Sequence, residues 1–423
     1  MIFLYNIITL LLVPLLALFL PIYLILRPEK RHIIPQRLGF GLKLPSNRKK
    51  STVWIHALSV GEVTSACHLV KQLYQDKHKS TTIIFSTTTV SGYEVAKKII
   101  RPYSDGLIYS PLDFLPVVNF FLKKIQPDLF ILIETDFWPN LLHRLAKFDA
   151  QLLLINGRVS DRSMERYQRF SLFFSPLFDT FTLLCMQTKD DARKMLRLGI
   201  NEEKVKTFGN LKFGGQDLPE PEPVSEKKQF FPAGNLIILA GSTHAGEEQT
   251  IIDVFLNLKR SVSQPLHLVV APRNISRCQE IIELFQNNNL TYTNFSSNNS
   301  YEVIDVTIID TIGDLSSLYR YADISFIGGS LVNEGGHNPL EASRCGCPVL
   351  FGPYMDDFSE ISTGLLEAGG ALEVQDPSSL YDILQLLIHD ETKRKVLGQK
   401  AQSYTTEHKH VISGHLELID RYL

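Results

Sequence analysis

Short apolar runs recur along the whole chain, and they do not alternate polar with apolar residues. The first half holds 52–58 (TVWIHAL), 81–86 (TTIIFS), 106–109, 128–133 (DLFILI), 151–155 (QLLLI), 180–186 and 205–208. A strand with one face in water alternates. A strand covered on both faces does not, and that is the condition of a parallel sheet. The stretches between the runs are long enough for crossover helices, so residues 28–217 are expected to form a doubly wound, Rossmann-like α/β domain. Residues 218–229, LPEPEPVSEKKQ, break the pattern with prolines and charges and read as a linker. The rhythm restarts at 235–240 (NLIILA), 266–270 (LHLVV), 306–310, 323–327 (DISFI), 348–351 (PVLF) and 371–374, which predicts a second Rossmann-like domain over 230–400. Residues 401–423 read as a helix that packs back on the first domain. Residues 287–300, rich in Asn and Ser, read as a mobile loop.

A second constraint sits at the start. Residues 2–26 carry no charge, and a membrane-spanning helix needs about 20 apolar residues. Pro14 and Pro21 are tolerated in such helices. The run lacks a basic leader and a small-residue cleavage site, so 1–27 reads as a retained transmembrane anchor rather than a cleaved signal. Its lack of a polar face argues against a helix lying flat in the interface. Between Arg27 and Lys50 stand eight Lys/Arg against the one acid Glu29. Positive flanks stay cytoplasmic, which predicts a single-pass protein with the rest of the chain on the cytoplasmic face. The same charges attract anionic lipid headgroups. The net charge of −2 gives no general pull toward nucleic acid. Cys67, Cys185, Cys278, Cys345 and Cys347 are odd in number and scattered, so they predict reduced thiols rather than a disulfide framework.

The chemistry-bearing motifs stand at the carboxyl ends of the runs, where doubly wound sheets bind ligands. In His56-Ala-Leu-Ser59-Val-Gly61-Glu62, Ser59 can cap the next helix and Gly61 admits a ligand to the backbone. Glu62 in the first turn is favoured by the helix dipole, which keeps it ionised as a general base must be. The alternative is an acid that only stabilises the helix. Glu134-Thr-Asp-Phe-Trp-Pro-Asn140 follows a buried strand, and Glu134 needs a partner there: a sugar hydroxyl, or Arg158 of Asn156-Gly-Arg158 in a buried salt bridge. Gly241-Ser242-Thr-His-Ala-Gly-Glu-Glu248 offers free N–H groups at a helix start, an anion site, without the P-loop or dinucleotide spacing. Arg273 of Ala271-Pro-Arg273 suits a phosphate or a surface ion pair.

The densest motif joins Gly328-Gly-Ser330 to Glu334-Gly335-Gly336-His337-Asn338-Pro-Leu-Glu341. Its glycines admit a phosphate to a helix N-terminus, Asn338 can cap, and Glu341 can accept from ribose hydroxyls. A capped Gly-rich turn alone explains the glycines but not His337 and Glu341 together. His56, His244 and His337 are far apart in sequence and no Asp-X-Asp element is present, so chemistry without a metal is expected. Residues 113–125 and 162–178 mix aromatics with Lys/Arg, and read as membrane-contact helices or as core faces with snorkelling cations.

Taken in order, the anchor, HALSVGE, ETDFWPN, NGRVSDRS (156–163), GNLKF (209–213), GSTHAGEE, APR and GGHNPLEA resemble the bacterial Kdo transferases. These are inverting glycosyltransferases of the GT-B class, with two Rossmann-like domains and an interdomain cleft. They move 3-deoxy-D-manno-octulosonic acid (Kdo) from CMP-Kdo to a lipid A precursor. The resemblance implies that Glu62 is the catalytic base. It implies that Ser242, Arg273, Gly335, Gly336, His337 and Asn338 hold the donor phosphate, with Glu341 on the ribose. Ser59, Gly61, Glu134, Arg158 and Lys212 would position the acceptor or Kdo. No cofactor and no metal is implied. The implied partners are CMP-Kdo, the lipid A precursor (lipid IVA) and inner-membrane lipids, with no nucleic acid, in lipopolysaccharide inner-core biosynthesis. Ser343-Arg344-Cys345-Gly346 departs from the smaller residues expected after Ala342. Two other readings stand beside this one: a GT-B transferase using a UDP-sugar on a membrane lipid, and a membrane-anchored nucleotide-binding protein without catalysis.

Overall fold

The computed structural model describes residues 2–26, 31, 33–45, 49–214, 231–297, 304–407 and 410–423. The expected linker 218–229 lies outside them. The chain divides into two compact units, Met1–Gln216 with His408–Leu423, and Asp217–Glu407.

The first unit holds β1 (Ser51–Ala57), β2 (Thr81–Thr87), β3 (Gly106–Tyr109), β4 (Leu129–Ile133), β5 (Gln151–Gly157), β6 (Leu183–Met186) and β7 (Val205–Thr207). They form a parallel sheet in the order β3-β2-β1-β4-β5-β6-β7. All five residues of β4 are buried, as a strand covered on both faces requires. Helix Leu115–Ile125 lays Val118, Phe121, Leu122 and Ile125 on the sheet, the i, i+3, i+4, i+7 stripe of an amphipathic helix. One face of 113–125 is therefore a core face, whereas Phe120, Lys123 and Lys124 are exposed. Residues 162–178 divide: Met164, Leu177 and Phe178 are buried, whereas Phe170 and Leu172 are exposed.

The second unit repeats the plan with β8 (Leu236–Thr243), β9 (Leu266–Pro272), β10 (Tyr292–Asn294), β11 (Val306–Ile308), β12 (Ile324–Ile327), β13 (Val349–Phe351) and β14 (Ala371–Glu373). Its parallel order is β10-β11-β9-β8-β12-β13-β14. In each sheet the chain order reverses at the centre, between β1 and β4 and between β8 and β12. Loops diverge there and leave a crevice at the strands' carboxyl ends.

Two expectations change. Within 287–300, Tyr292–Asn294 is an edge strand paired with β11 and followed by a 3-10 turn at Phe295–Ser297. A three-residue strand is too short to carry a period, and the Asn-rich flanks masked it. The C-terminal helix is two helices. Glu391–Glu407 stays with the second unit, and Val411–Asp420 packs on the first. There Phe208 and His415 rings lie 4.8 Å apart and Lys77 pairs with Asp420 at 3.1 Å.

Residues Ile2–Leu26 form one helix of 25 residues, and the Tyr5 hydroxyl donates to Asp113 at 2.9 Å. The side chains of 13–18 and 20–24 are outside the description. Among the described residues no helix is long and apolar enough to cross a membrane.

Candidate active site

Glu62 sits at the first switch point. After β1 the chain turns through Leu58 and Ser59 into helix Val60–Lys77. Ser59 occupies the cap position, but its side chain makes no cap bond. The turn is closed from the other side: Glu62 folds back and accepts the Leu58 N–H and the Ser59 N–H, the latter being the carboxylate half of a capping box. Glu62 is only 5% exposed. Burial pushes its carboxyl up to about 8. The Leu58 N–H opposes that rise, and the charges of Glu134 and Asp136 add to it. The sequence expectation of an ionised Glu62 is thereby corrected, because desolvation of a buried carboxyl outweighs the dipole of one helix turn. An acid poised near 8 suits a general base better than an ordinary glutamate does.

Asp136, from the loop after β4, behaves oppositely. Burial alone would raise it, but the hydrogen bond and charge of His56, with the hydroxyl of Thr88, hold it below the usual carboxylate range. His56 Nε2 lies 2.8 Å and Thr88 Oγ1 2.9 Å from its carboxylate. His56 is fully buried, with Nδ1 2.9 Å from Ser86 Oγ, which also accepts from Trp54 Nε1 at 2.8 Å. Environments that push neighbouring carboxyls apart in this way are how acid and base roles are divided.

Glu134 and Asn156 both hold left-handed backbone, φ 62° and 61°. Asn156 Nδ2 donates to Glu134 at 3.0 Å, and its Oδ1 accepts the Leu211 N–H at 2.9 Å. Asn156 thus ties Glu134 to the 210–212 segment, where the Lys212 N–H bonds Asn210 Oδ1 at 2.9 Å. Arg158 is exposed, so it does not complete the buried salt bridge considered above. Gly61 is exposed, with open space on its Cα.

At the second switch point, Glu247 occupies one amide of the predicted anion site, that of His244, and three of the loop after β12. Its Oε2 accepts the N–H of His244 (2.9 Å) and Gly329 (2.7 Å), and its Oε1 those of Ser330 and Leu331 (3.0 Å each). These amides are already taken by the protein's own carboxylate. Glu248 is also structural, bound to Arg277 at 2.7 Å. The two loops touch so closely that a Cβ on Gly328 would lie 2.4 Å from the Ser242 carbonyl oxygen. Ser242 itself is left-handed, φ 59°.

Other predicted donor-site residues converge here. His337 Nε2 lies 2.8 Å from His244 Nε2, with the rings stacked at 5.0 Å. Burial, then the charges of Arg273 and His244, push His337 down to about 4. Burial raises Glu341, against the charges of Arg344 and Arg273 and a bond from Asn338. Arg273, exposed at the end of β9, therefore acts on both residues. Gly335 and Gly336 have φ 82° and 71°, and a Cβ on Gly336 would meet Met355 Sδ at 2.4 Å. The helix after them is one turn, Leu340–Arg344, capped by Pro339, with Asn338 Oδ1 accepting the Leu340 N–H at 3.1 Å. Among the described residues no three His, Cys, Asp or Glu side chains are grouped to hold a metal.

Sequence reasoning gave no role to Asp136, Asn156 or Glu247, and weighed His244 only as a metal ligand. The one local signal was the spacing of Glu247, three residues after His244 and able to fold back on its N–H.

Tandem doubly wound units, with an acid-rich crevice in one and a Gly/His-rich crevice in the other, define a GT-B-like α/β enzyme. The family profile of 3-deoxy-D-manno-octulosonic-acid transferase (kdotransferase) matches residues 32–214. The chain is 31% identical over 429 residues to the 3-deoxy-D-manno-octulosonic acid transferase of Haemophilus influenzae, covering 100% of this chain and 98% of that protein. It is 29% identical to the Rickettsia bellii transferase of the same name, over 99% of each. It is 34% identical over 349 residues to a bifunctional glycosyltransferase/methyltransferase of Fusobacterium nucleatum, covering 80% of this chain and 53% of that protein, about half its length. The chain belongs to the Kdo transferase family and is a glycosyltransferase. Two solved structures share the fold. The UDP-GlcNAc 2-epimerase of Neisseria meningitidis has TM-score 0.57 at 14% identity, over 88% of this chain and 100% of that one. A glycosyltransferase from Rickettsia africae has TM-score 0.53 at 14% identity, over 88% and 98%.

Proposed function

We propose that this chain transfers Kdo from CMP-Kdo to a lipid A precursor, lipid IVA, with inversion and with Glu62 as general base. The observation that carries the reading is Glu62, buried at the switch-point end of β1 with its carboxyl pushed up to about 8. In this reaction Glu62 takes the proton of the acceptor hydroxyl. The hydroxyl oxygen attacks the anomeric carbon from the face opposite CMP, and the bond from that carbon to the CMP phosphate oxygen breaks. The leaving phosphate needs charge stabilisation rather than a proton. Arg273, Ser242 and the loop Gly335-Gly336-His337-Asn338 supply it, and Glu341 holds the ribose. Glu134, bound by Asn156, and Lys212 position Kdo or the acceptor, with Ser59, Gly61 and Arg158 at its approach. The reaction needs no cofactor and no metal in this reading.

The reading includes helix Ile2–Leu26 as an inner-membrane anchor with both units on the cytoplasmic face. Its support is the uncharged run and its basic flank. The exposed Phe170 and Leu172, beside Arg166 and Arg169, suit contact with the membrane that carries the acceptor.

The test is to incubate the purified chain with CMP-Kdo and a tetraacylated precursor and weigh the lipid product. Mass gains in steps of one Kdo are expected. Transfer from a UDP-sugar in preference to CMP-Kdo would overturn the donor assignment. Recovery of the full-length chain in the soluble fraction after cell breakage would overturn the anchor.

A further inference from the structure

His244 has no role so far, yet its placement is over-determined. Its backbone N–H is one of the four amides held by Glu247, whose other three donors come from the loop after β12. A carboxylate that is 1% exposed and accepts four N–H bonds is a fixed strut. The strut sets the height of the loop after β8 against the loop that carries Gly335-Gly336-His337. At that height the His244 and His337 rings stack, and their Nε2 atoms lie 2.8 Å apart.

That distance has a chemical consequence. Two imidazole nitrogens so close share one proton: one ring donates and the other accepts. The charged or titratable groups around the pair are Arg273, which acts on His337, and Glu334, whose carboxylate lies 4.0 Å from His244 Nδ1. With its proton on Nε2, His244 donates to His337 Nε2, and neutral His337 then carries its own proton on Nδ1, a donor suited to an anionic oxygen.

We propose that His244 is a positioning residue for the donor phosphate, held in place by Glu247 and acting by hydrogen bonding to His337. The inference rests on the CMP-donor reading above.

The test is calorimetric titration of the full chain with CMP at neutral pH. Wild type is compared with His244→Ala and His244→Gln, after equal thermal midpoints establish equal folding. The His244 side chain is partly exposed, so truncation leaves no deep cavity. His244→Ala is expected to weaken CMP about tenfold, the scale of one hydrogen bond to a charged network. His244→Gln, whose amide N–H can donate to His337 in its place, is expected to recover most of the affinity. Affinity within about twofold of wild type in His244→Ala, or equal weakness of Ala and Gln, would overturn the inference alone. A wild-type chain that ignores CMP would sink the donor reading, and this inference with it.

Discussion

The two crevices are built on one topology and handle their carboxylates in opposite ways. Glu62 and Glu247 each lie in the first turn of the helix after a unit's first strand, and each folds back on the preceding backbone. Glu247 meets four N–H donors across two loops. Glu62 meets two, the Leu58 and Ser59 N–H groups of a single turn, amid the negative charges of Glu134 and Asp136. A carboxylate saturated with amides is a structural strut, and one that is buried with few donors remains available to exchange a proton. The number of amides within reach, rather than the position in the helix, separates the candidate base from the strut.

Exchanging the acids for amides tests that contrast most directly. Glu62→Gln is expected to lower the transfer rate about a thousandfold, the scale of general-base catalysis, with CMP affinity unchanged by calorimetry. Transfer within tenfold of wild type would remove Glu62 from the base role. Glu247→Gln should act on stability instead. Urea unfolding is expected to lose about 3 kcal/mol, because two or more buried amides lose an ionic acceptor. A loss equal to that of Glu62→Gln would erase the distinction between the two acids.

The contrast also predicts a pH signature. The folded-state pKa of Glu62, about 8, lies above its ordinary 4.5. Between these values the folded chain binds more protons than the unfolded chain, so this contribution to stability is full below 4.5 and is lost as pH rises through 8. Glu62→Gln should therefore match wild type in denaturation at pH 4 and be the more stable at pH 9. In wild type, kcat/KM should rise with pH and level off above about 8. Asp136→Asn removes a charge that raises Glu62, so the rise should move to lower pH in the rate profile. An unmoved profile would confine Asp136 to holding His56. The smallest effect belongs to Gly61→Ala. No atom lies within 4 Å of the added Cβ, so stability should gain up to about 1 kcal/mol in thermal unfolding. A rise in KM for the acceptor lipid, with kcat unchanged, would mark Gly61 as part of its approach.

Much of this molecule was legible along the chain. The non-alternating runs located nearly every strand, because burial on both faces leaves its mark in the residues themselves. The edge strand Tyr292–Asn294 escaped, being too short for any pattern. The motifs fell at the correct strand ends, because the doubly wound plan puts loops of one polarity there. Partners were less legible. Of the partners open to Glu134, a sugar hydroxyl or Arg158, the arginine is exposed, and Asn156, two residues before it in a left-handed turn, binds Glu134 instead.

The sequence by itself determined the two parallel-sheet units, the order of the motifs and the uncharged N-terminal run, all of which follow from local composition and period. Only the tertiary structure decided what each acid does. A carboxyl's proton affinity depends on its access to water and on donors from loops distant in sequence. Asp136 meets His56, and Glu247 meets Gly329, Ser330 and Leu331, only after the sheets assemble. Glu62 keeps its proton to about pH 8 because folding removes its water without providing enough donors to replace it.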